Sequence, residues 1–326
     1  MKKKLLVIMM ALVLVLTACQ GQSTGTTDNV EGEKLIVGVV QLMEHQSLDN
    51  AKDGFVETLE KSGLNIEIET ENAQGEITNA KTIVDKFVSD KVDLIYAIAT
   101  PAAEAAMSAT TEIPIVFSAV TDPVEAQLVE SVENPGGNIT GTSDMVDVNS
   151  QLKLFKELNP DTKTIGIIYS ADESNSLIQV KSVEALAPQL GLEVKTVSIH
   201  TLSDIPQATE SIVKEIDALY LLSDNKVSSS TTVVTEIMNR EKVPVVATVE
   251  ADVQQGALIS IGIDYTRLGE ISAEKALEIL RDNKAPSEVP VYMPNEFAKI
   301  INEETLNALG LDINADVFKG TEKVGQ

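Results

Sequence analysis

From residue 34 onward the chain alternates two patterns. Short apolar runs of strand length are separated by longer stretches in which apolar residues recur at helical spacing. Residues 35–40 (LIVGVV) form the first run and read as a buried strand. Residues 48–62 place Leu48, Ala51, Phe55 and Leu59 on one helical face and end at Gly63, which suits the left-handed turn that closes a helix. A second strand is expected around Ile66 and Ile68, then a helix over 77–89 and a third strand over 92–99. An alanine-rich helix over 101–109 begins at Thr100 and Pro101, and a fourth strand covers 113–117. Strands alternating with helices of this length predict a parallel sheet covered on both faces.

The series then recurs. Strands are expected over 164–169, 194–197, 216–222 and 243–247, and helices over 176–190, 205–214 and 228–240. The two first strands begin 129 positions apart, at 35 and 164. An internal duplication is the simplest account, and a single eight-stranded sheet is the alternative. The expected fold class is therefore α/β: two similar, doubly wound parallel-sheet lobes joined by a three-segment hinge, with a ligand cleft between them. The turn cluster at 133–138 and the polar run at 139–144 read as the first crossing. A strand over 258–263, a helix over 268–280, a strand over 289–293 and a helix over 297–309 complete the chain. Residues 34–142 plus about 265–290 are assigned to lobe 1, and 143–264 plus about 291–318 to lobe 2.

Ahead of this body, Lys2–Lys4 precede an apolar run over 5–16. The run is shorter than the roughly 20 residues a membrane span needs, so 1–18 reads as a secretory signal peptide. Residues 20–33 are polar and Gly-rich, the composition of a flexible tether. Cys19 is the single cysteine of the chain, which excludes an internal disulfide framework. The formal net charge is −25, and losing 1–18 with its three lysines would take it to −28. Such acidity argues against nucleic acid as a partner and suits a soluble protein outside the cytoplasm.

Ligands of open α/β sheets bind beyond the carboxyl ends of the strands. The loops there, at 41–49, 100–101, 118–123, 170–176, 223–226 and 248–250, are short and rich in Ser, Thr, Asn and Asp. Helices starting just after them favour an anion such as a carboxylate. Asp144, Glu250 and Asp264 offer charge for an ammonium. Together these features suit a small zwitterion. The absence of Trp counts against a stacked sugar. No nucleophile elbow, phosphate loop or dinucleotide turn is present, so no catalytic site and no cofactor are expected. Two isolated histidines, His45 and His200, make a metal site unexpected.

The run Leu16-Thr17-Ala18-Cys19 resembles the lipobox of bacterial lipoproteins, which implies lipidation of Cys19 and an extracytoplasmic protein held at the membrane by acyl chains. Within the body, residues 98–101 (IATP), 117–123 (FSAVTDP), 141–144 (GTSD) and 172–176 (DESNS) resemble motifs of ABC transporter substrate-binding lipoproteins of the tryptophan/tyrosine type. The resemblance spans roughly 34–312. It implies the periplasmic-binding type I architecture, an aromatic amino acid trapped at the hinge, and delivery to an ABC permease with its ATPase by a monomer. By motif it implies ligand contacts at His45, Thr100, Ser118, Thr121, Asp122, Asp144, Asn175, Asn225 and Asp264. Open alternatives are a ligand sensor for a membrane signalling partner, an enzyme on the same scaffold, or a binding protein for branched-chain amino acids, nucleosides or sugars.

Overall fold

The computed structural model describes residues 34–325; the leader (1–18), Cys19 and the tether (20–33) lie outside the described residues. The first lobe is built from β1 (Leu35–Gln41), α1 (Gln46–Glu60), β2 (Ile66–Asn72), α2 (Ile77–Asp90), β3 (Leu94–Ile98), α3 (Thr100–Ala109), β4 (Ile115–Val120) and β5 (Ile139–Ser143). Its five strands pair in parallel in the order β2-β1-β3-β4-β5. The second lobe carries α4 (Val148–Leu158), β6 (Thr164–Ser170), α5 (Ser174–Leu186), β7 (Glu193–Ile199), α6 (Ile205–Ile212) and β8 (Ala218–Leu221). It continues with α7 (Asn225–Ser228), α8 (Thr231–Arg240), β9 (Val245–Ala247), α9 (Glu250–Gln254) and β10 (Ile259–Gly262). After α10 (Tyr265–Leu280), which returns to the first lobe, come β11 (Ala298–Asn302), α11 (Glu303–Leu309) and β12 (Glu322–Val324).

The second sheet runs β12-β11-β10-β9-β8-β6-β7. Its β7-β6-β8-β9 segment repeats the β2-β1-β3-β4 order of the first, so the duplicated pattern in the chain is a duplicated topology. Two strands at one edge depart from a wholly parallel sheet: β11 pairs antiparallel with β10, and β12 runs parallel to β11.

Each sheet has its own core. In the first, Val37, Val39, Phe87 and Phe117 are fully buried, and the rings of Phe55 and Tyr96 stack with centroids 3.6 Å apart. In the second, Ile165, Ile167 and Tyr220 lie under one face, with Tyr220 edge-on to Phe155. Ile168, Leu219 and Val245 lie under the other.

The tail corrects two expectations. Residues 297–309 do not form one helix. Ile300 and Ile301 belong to cores on opposite faces of the second sheet, so consecutive isoleucines make a strand buried on both sides. The helix starts only after Asn302, whose side chain accepts from the Thr305 amide. Residues 289–293 form an isolated bridge alongside β5 rather than a ladder: the Tyr292 amide donates to Gly141 O, and the Ser143 amide to Tyr292 O. Three further elements were hidden in polar sequence. The run at 139–143 is the fully buried edge strand β5, α4 precedes β6, and the expected helix over 228–240 is split into α7 and α8.

The chain crosses between the sheets after β5, between β10 and α10, and between residue 293 and β11. Helix α10 therefore follows the second sheet in sequence but packs on α1, β4 and β5. The fit against α1 is at backbone range. A Cβ on Gly269 would lie 2.0 Å from Ala51 O, and one on Gly54 would lie 2.2 Å from Thr266 O.

Candidate functional site

The carboxyl ends of both sheets face one another across a narrow cavity of about 10 Å³, roughly the room of a single water molecule, so the cleft is nearly shut. The first lobe brings His45, Leu48, Ala119 and Thr121 to it. The second brings Asn175, Ser223, Asp224, Asn225, Ser228 and Val249. Asp144 and Tyr265 line it from the crossing segments.

Local structure explains each placement. After β1, the buried Gln41 donates from Nε2 to Met43 O (2.8 Å) and to Asp49 Oδ1 (2.8 Å), folding the loop so that His45 heads α1 at the cavity wall. After Phe117 the register of β4 against β5 slips, and Ala119 takes a left-handed φ of 56°. This bulge turns Ala119 and Thr121 into the cleft. On the opposite wall, Asp224 receives the Ser170 amide (2.5 Å), Ser176 Oγ (2.7 Å) and the Val227 amide (2.9 Å), pinning α7 to β6 and α5.

Asp144 is the one carboxylate from the crossing segments that faces the cavity. Tyr265 Oη donates to its Oδ2 at 2.6 Å, tying two crossings together. Its Oδ1 is buried with no hydrogen-bond partner among the described residues. Burial raises the Asp144 carboxyl above its ordinary value and raises the Tyr265 phenol. Asn175 Oδ1 is a second buried acceptor without a partner. An orphaned acceptor in a closed site costs free energy until a donor arrives. The nearby ammonium of Lys226 does not supply one, because it donates to Asp172 at 2.7 and 2.9 Å.

Among the described residues two side-chain bonds span the lobes. His45 Nε2 stands 3.4 Å from Asn225 Oδ1, and Ser174 Oγ, in the first turn of α5, donates to Glu104 Oε1 of α3 at 2.5 Å. Burial in the cleft lowers the His45 pKa to about 4, so the ring is neutral at neutral pH and donates from Nε2 to Asn225.

Of the nine residues expected from the motifs, the structure brings His45, Thr121, Asp144, Asn175 and Asn225 together around the cavity. The other four lie off it. Ser118 is buried below in a hydroxyl cluster, where it accepts from Thr142 Oγ1, itself 3.0 Å from Ser272 Oγ. Thr100 opens α3, buried, with an unpartnered Oγ1. Asp122 accepts from the Val124 and Glu125 amides in a surface turn. Asp264 is exposed and caps α10 through the Thr266 and Arg267 amides, so the zwitterion argument loses that carboxylate. Its neighbour Tyr265 faces the cavity instead. Glu250 also lies outside the lining. Sequence reasoning missed Tyr265 and the buried Glu173. The signal for Tyr265 was an aromatic residue one position beyond a hinge acid.

Buried ionisable groups set the pH response of the folded body. Glu173 is raised to about 7, by burial first and then by the Asp224 charge, and Asp252 is raised to about 7 by burial. Folded pKa values above unfolded ones mean that the native state holds extra protons below pH 7, so these two contributions are lost as pH rises through about 7. His45 has the opposite sign: its contribution is present above the ordinary 6.5 and is lost as pH falls toward 4. Two acids outweigh one imidazole. The ligand-free body should therefore melt a few degrees higher at pH 5 than at pH 7.5. A scanning-calorimetry series that rises toward pH 7.5 would contradict these assignments.

Comparison with known proteins places this geometry. Residues 36–324 match the family of ABC transporter substrate binding proteins. A tyrosine-binding protein of Clostridioides difficile (strain R20291) is 45% identical over 331 residues, covering 97% of this chain and 95% of that one. The crystal structure of an ABC domain in complex with L-Trp, from Streptococcus pneumonia, superposes with TM-score 0.85 at 32% identity, covering 89% of this chain and 99% of that chain. A ligand-free, open substrate-binding protein with adhesive properties from Clostridium difficile superposes with TM-score 0.67 at 41% identity, over the same shares of the two chains. The more identical protein is thus the poorer match in shape. The lobes here stand closer to the arrangement of the L-Trp complex than to the open form, in keeping with the two bonds across the cleft. With a family match over nearly the whole described body and a two-lobed cleft built to enclose a small solute, the chain belongs to the ABC transporter substrate-binding proteins.

Proposed function

We propose that this protein captures an aromatic amino acid of the tyrosine or tryptophan class and presents it to an ABC permease. The observation that carries this reading is the orphaned Oδ1 of Asp144 in an enclosed cavity, an anionic acceptor placed for an α-ammonium. The ligand carboxylate has donors in the first-turn amides of α5, where Ser174, Asn175 and Ser176 donate to nothing among the described residues, and in the hydroxyl of Ser228. Leu48, Val249, Ala119 and the ring of Tyr265 supply apolar wall for a side chain. The Clostridioides tyrosine-binding protein and the L-Trp complex support the aromatic assignment. Neutral sugars and nucleosides bring no ammonium for Asp144.

Closure works by differential contact: a ligand touching both lobes stabilises the arrangement in which both touch it. The mature protein acts outside the cytoplasm, anchored by lipid on Cys19, and replacing Cys19 with Ser should release it from the membrane fraction. Isothermal titration of residues 34–325, refolded to remove carried-over ligand, tests the binding reading with L-Tyr, L-Trp, L-Phe, L-Leu, a nucleoside and a hexose. Tight binding confined to aromatic amino acids is expected. Preference for the hexose or nucleoside, or no binding to any, would overturn it.

A further inference from the structure

Glu173 is buried, heads α5, and lies behind the cavity wall rather than in its lining. Its carboxylate does not cap its own helix. It turns instead to the two cleft asparagines. Glu173 Oε2 accepts from Asn225 Nδ2 at 2.5 Å, from the Asn225 amide at 3.2 Å and from Asn175 Nδ2 at 3.3 Å. Its Oε1 accepts from the Lys226 amide at 3.4 Å. Capping of α7 does not require it, since Asp224 already takes the Val227 amide.

An asparagine amide has one donor end and one acceptor end. Holding the nitrogen back turns the oxygen forward. Asn175 Nδ2 is held back a second time, by the carbonyl of Ser223 at 2.9 Å, an acceptor only. Its Oδ1 is left buried and unpartnered. Asn225 Oδ1 faces the first lobe, toward His45 Nε2. Together with Asp144 Oδ1, the cavity is thereby lined by acceptors on two sides.

We propose that Glu173 is a positioning residue that fixes both cleft asparagines with their carbonyl oxygens toward the ligand, making the second-lobe wall selective for a solute that brings N–H donors. The proposal rests on the amino-acid reading above and adds to it the origin of selectivity for the ammonium. A purely structural Glu173 would affect all ligands alike. A positioning Glu173 acts on the ammonium-bearing ones.

The test compares L-tyrosine with its des-amino analogue, 3-(4-hydroxyphenyl)propanoate, by titration into residues 34–325, which contain both complete cores. Both asparagine side chains donate to the same oxygen, which a Gln oxygen could replace, so the informative variant is the similarly sized Glu173→Met, which removes both acceptors. Its affinity for L-tyrosine should fall about tenfold, with a smaller change for the analogue, so that the ratio between them shrinks. Equal loss for both ligands, or no loss for either, would overturn the proposal. If Glu173→Met does not fold, Asn225→Ala removes one forward-facing acceptor directly and should shrink the same ratio; an unchanged ratio counts against it. Should the parent bind no aromatic amino acid, the function reading fails, and the positioning claim is judged on the free protein. The side-chain amide protons of Asn175 and Asn225 should exchange slowly in NMR spectra of the parent and faster in Glu173→Met. Identical exchange in the two proteins would refute it.

Discussion

Asp144→Asn should weaken binding of the aromatic amino acid by about 1.5–3 kcal/mol, the worth of a hydrogen bond to a charged group, while the ligand-free protein melts at the parental temperature or above. The opposite signs follow from one geometry. Without ligand, Asp144 is a buried carboxylate with one oxygen on Tyr265 and the other on nothing. Removing that charge relieves desolvation. With ligand, the same oxygen is the counter-ion of the ammonium. Asparagine must choose. If its oxygen keeps the Tyr265 hydroxyl, its NH₂ faces the ammonium; if it turns its oxygen inward, the Tyr265 bond is lost. Calorimetric titration and a melting curve on the same preparation distinguish this from misfolding. Parental affinity in the variant would place the ammonium elsewhere in the cleft.

Gly269→Val should be the most damaging single change to the fold outside the sheets. The new Cβ would sit 2.0 Å from Ala51 O and 2.9 Å from the Phe55 amide, both backbone atoms that cannot rotate away. Helices α1 and α10 must separate, and overpacking of this kind costs about 1–3 kcal/mol or more. The damage should also reach the site, because α1 begins beside His45 and Leu48 and α10 begins at Tyr265. Both a lower melting temperature and weaker ligand binding are expected. Gly137→Ala, where an added Cβ meets nothing within 4 Å, is the control and should match the parent. A parental melting curve for Gly269→Val would mean that the helix pair tolerates separation.

The repeated strand–helix units were legible because buried parallel strands read as unbroken apolar runs between turn residues, as at 35–40 and 164–169. β5 was not, because Thr140, Gly141, Thr142 and Ser143 look like loop and are buried by β4, α10 and the returning segment from 286 to Tyr292. The same limit governs the site. The loops beyond the strand ends converge on one cavity, and five of the nine candidates line it. Asp122 and Asp264 satisfy backbone amides in turns and caps, a use of the same residue type that pattern cannot distinguish from ligand contact. Tyr265 and Glu173 depend on which way a crossing segment and a helix start are turned, and that is settled by packing between distant parts of the chain.

The return of α10 to the first lobe also bears on the order in which the protein can be made. The glycine face of α1 belongs to the earliest part of the body, yet its partner surface around Gly269 is translated only after β6 to β10. During synthesis the first lobe is therefore incomplete while most of the second sheet already exists. The second lobe has its own reason to wait, because β11 and β12 arrive last. Neither half can finish alone, and the two become native within the same final stretch of chain. Long-range closure of this kind slows folding. A binding protein built this way reaches its native form only once nearly the whole body of the chain is available.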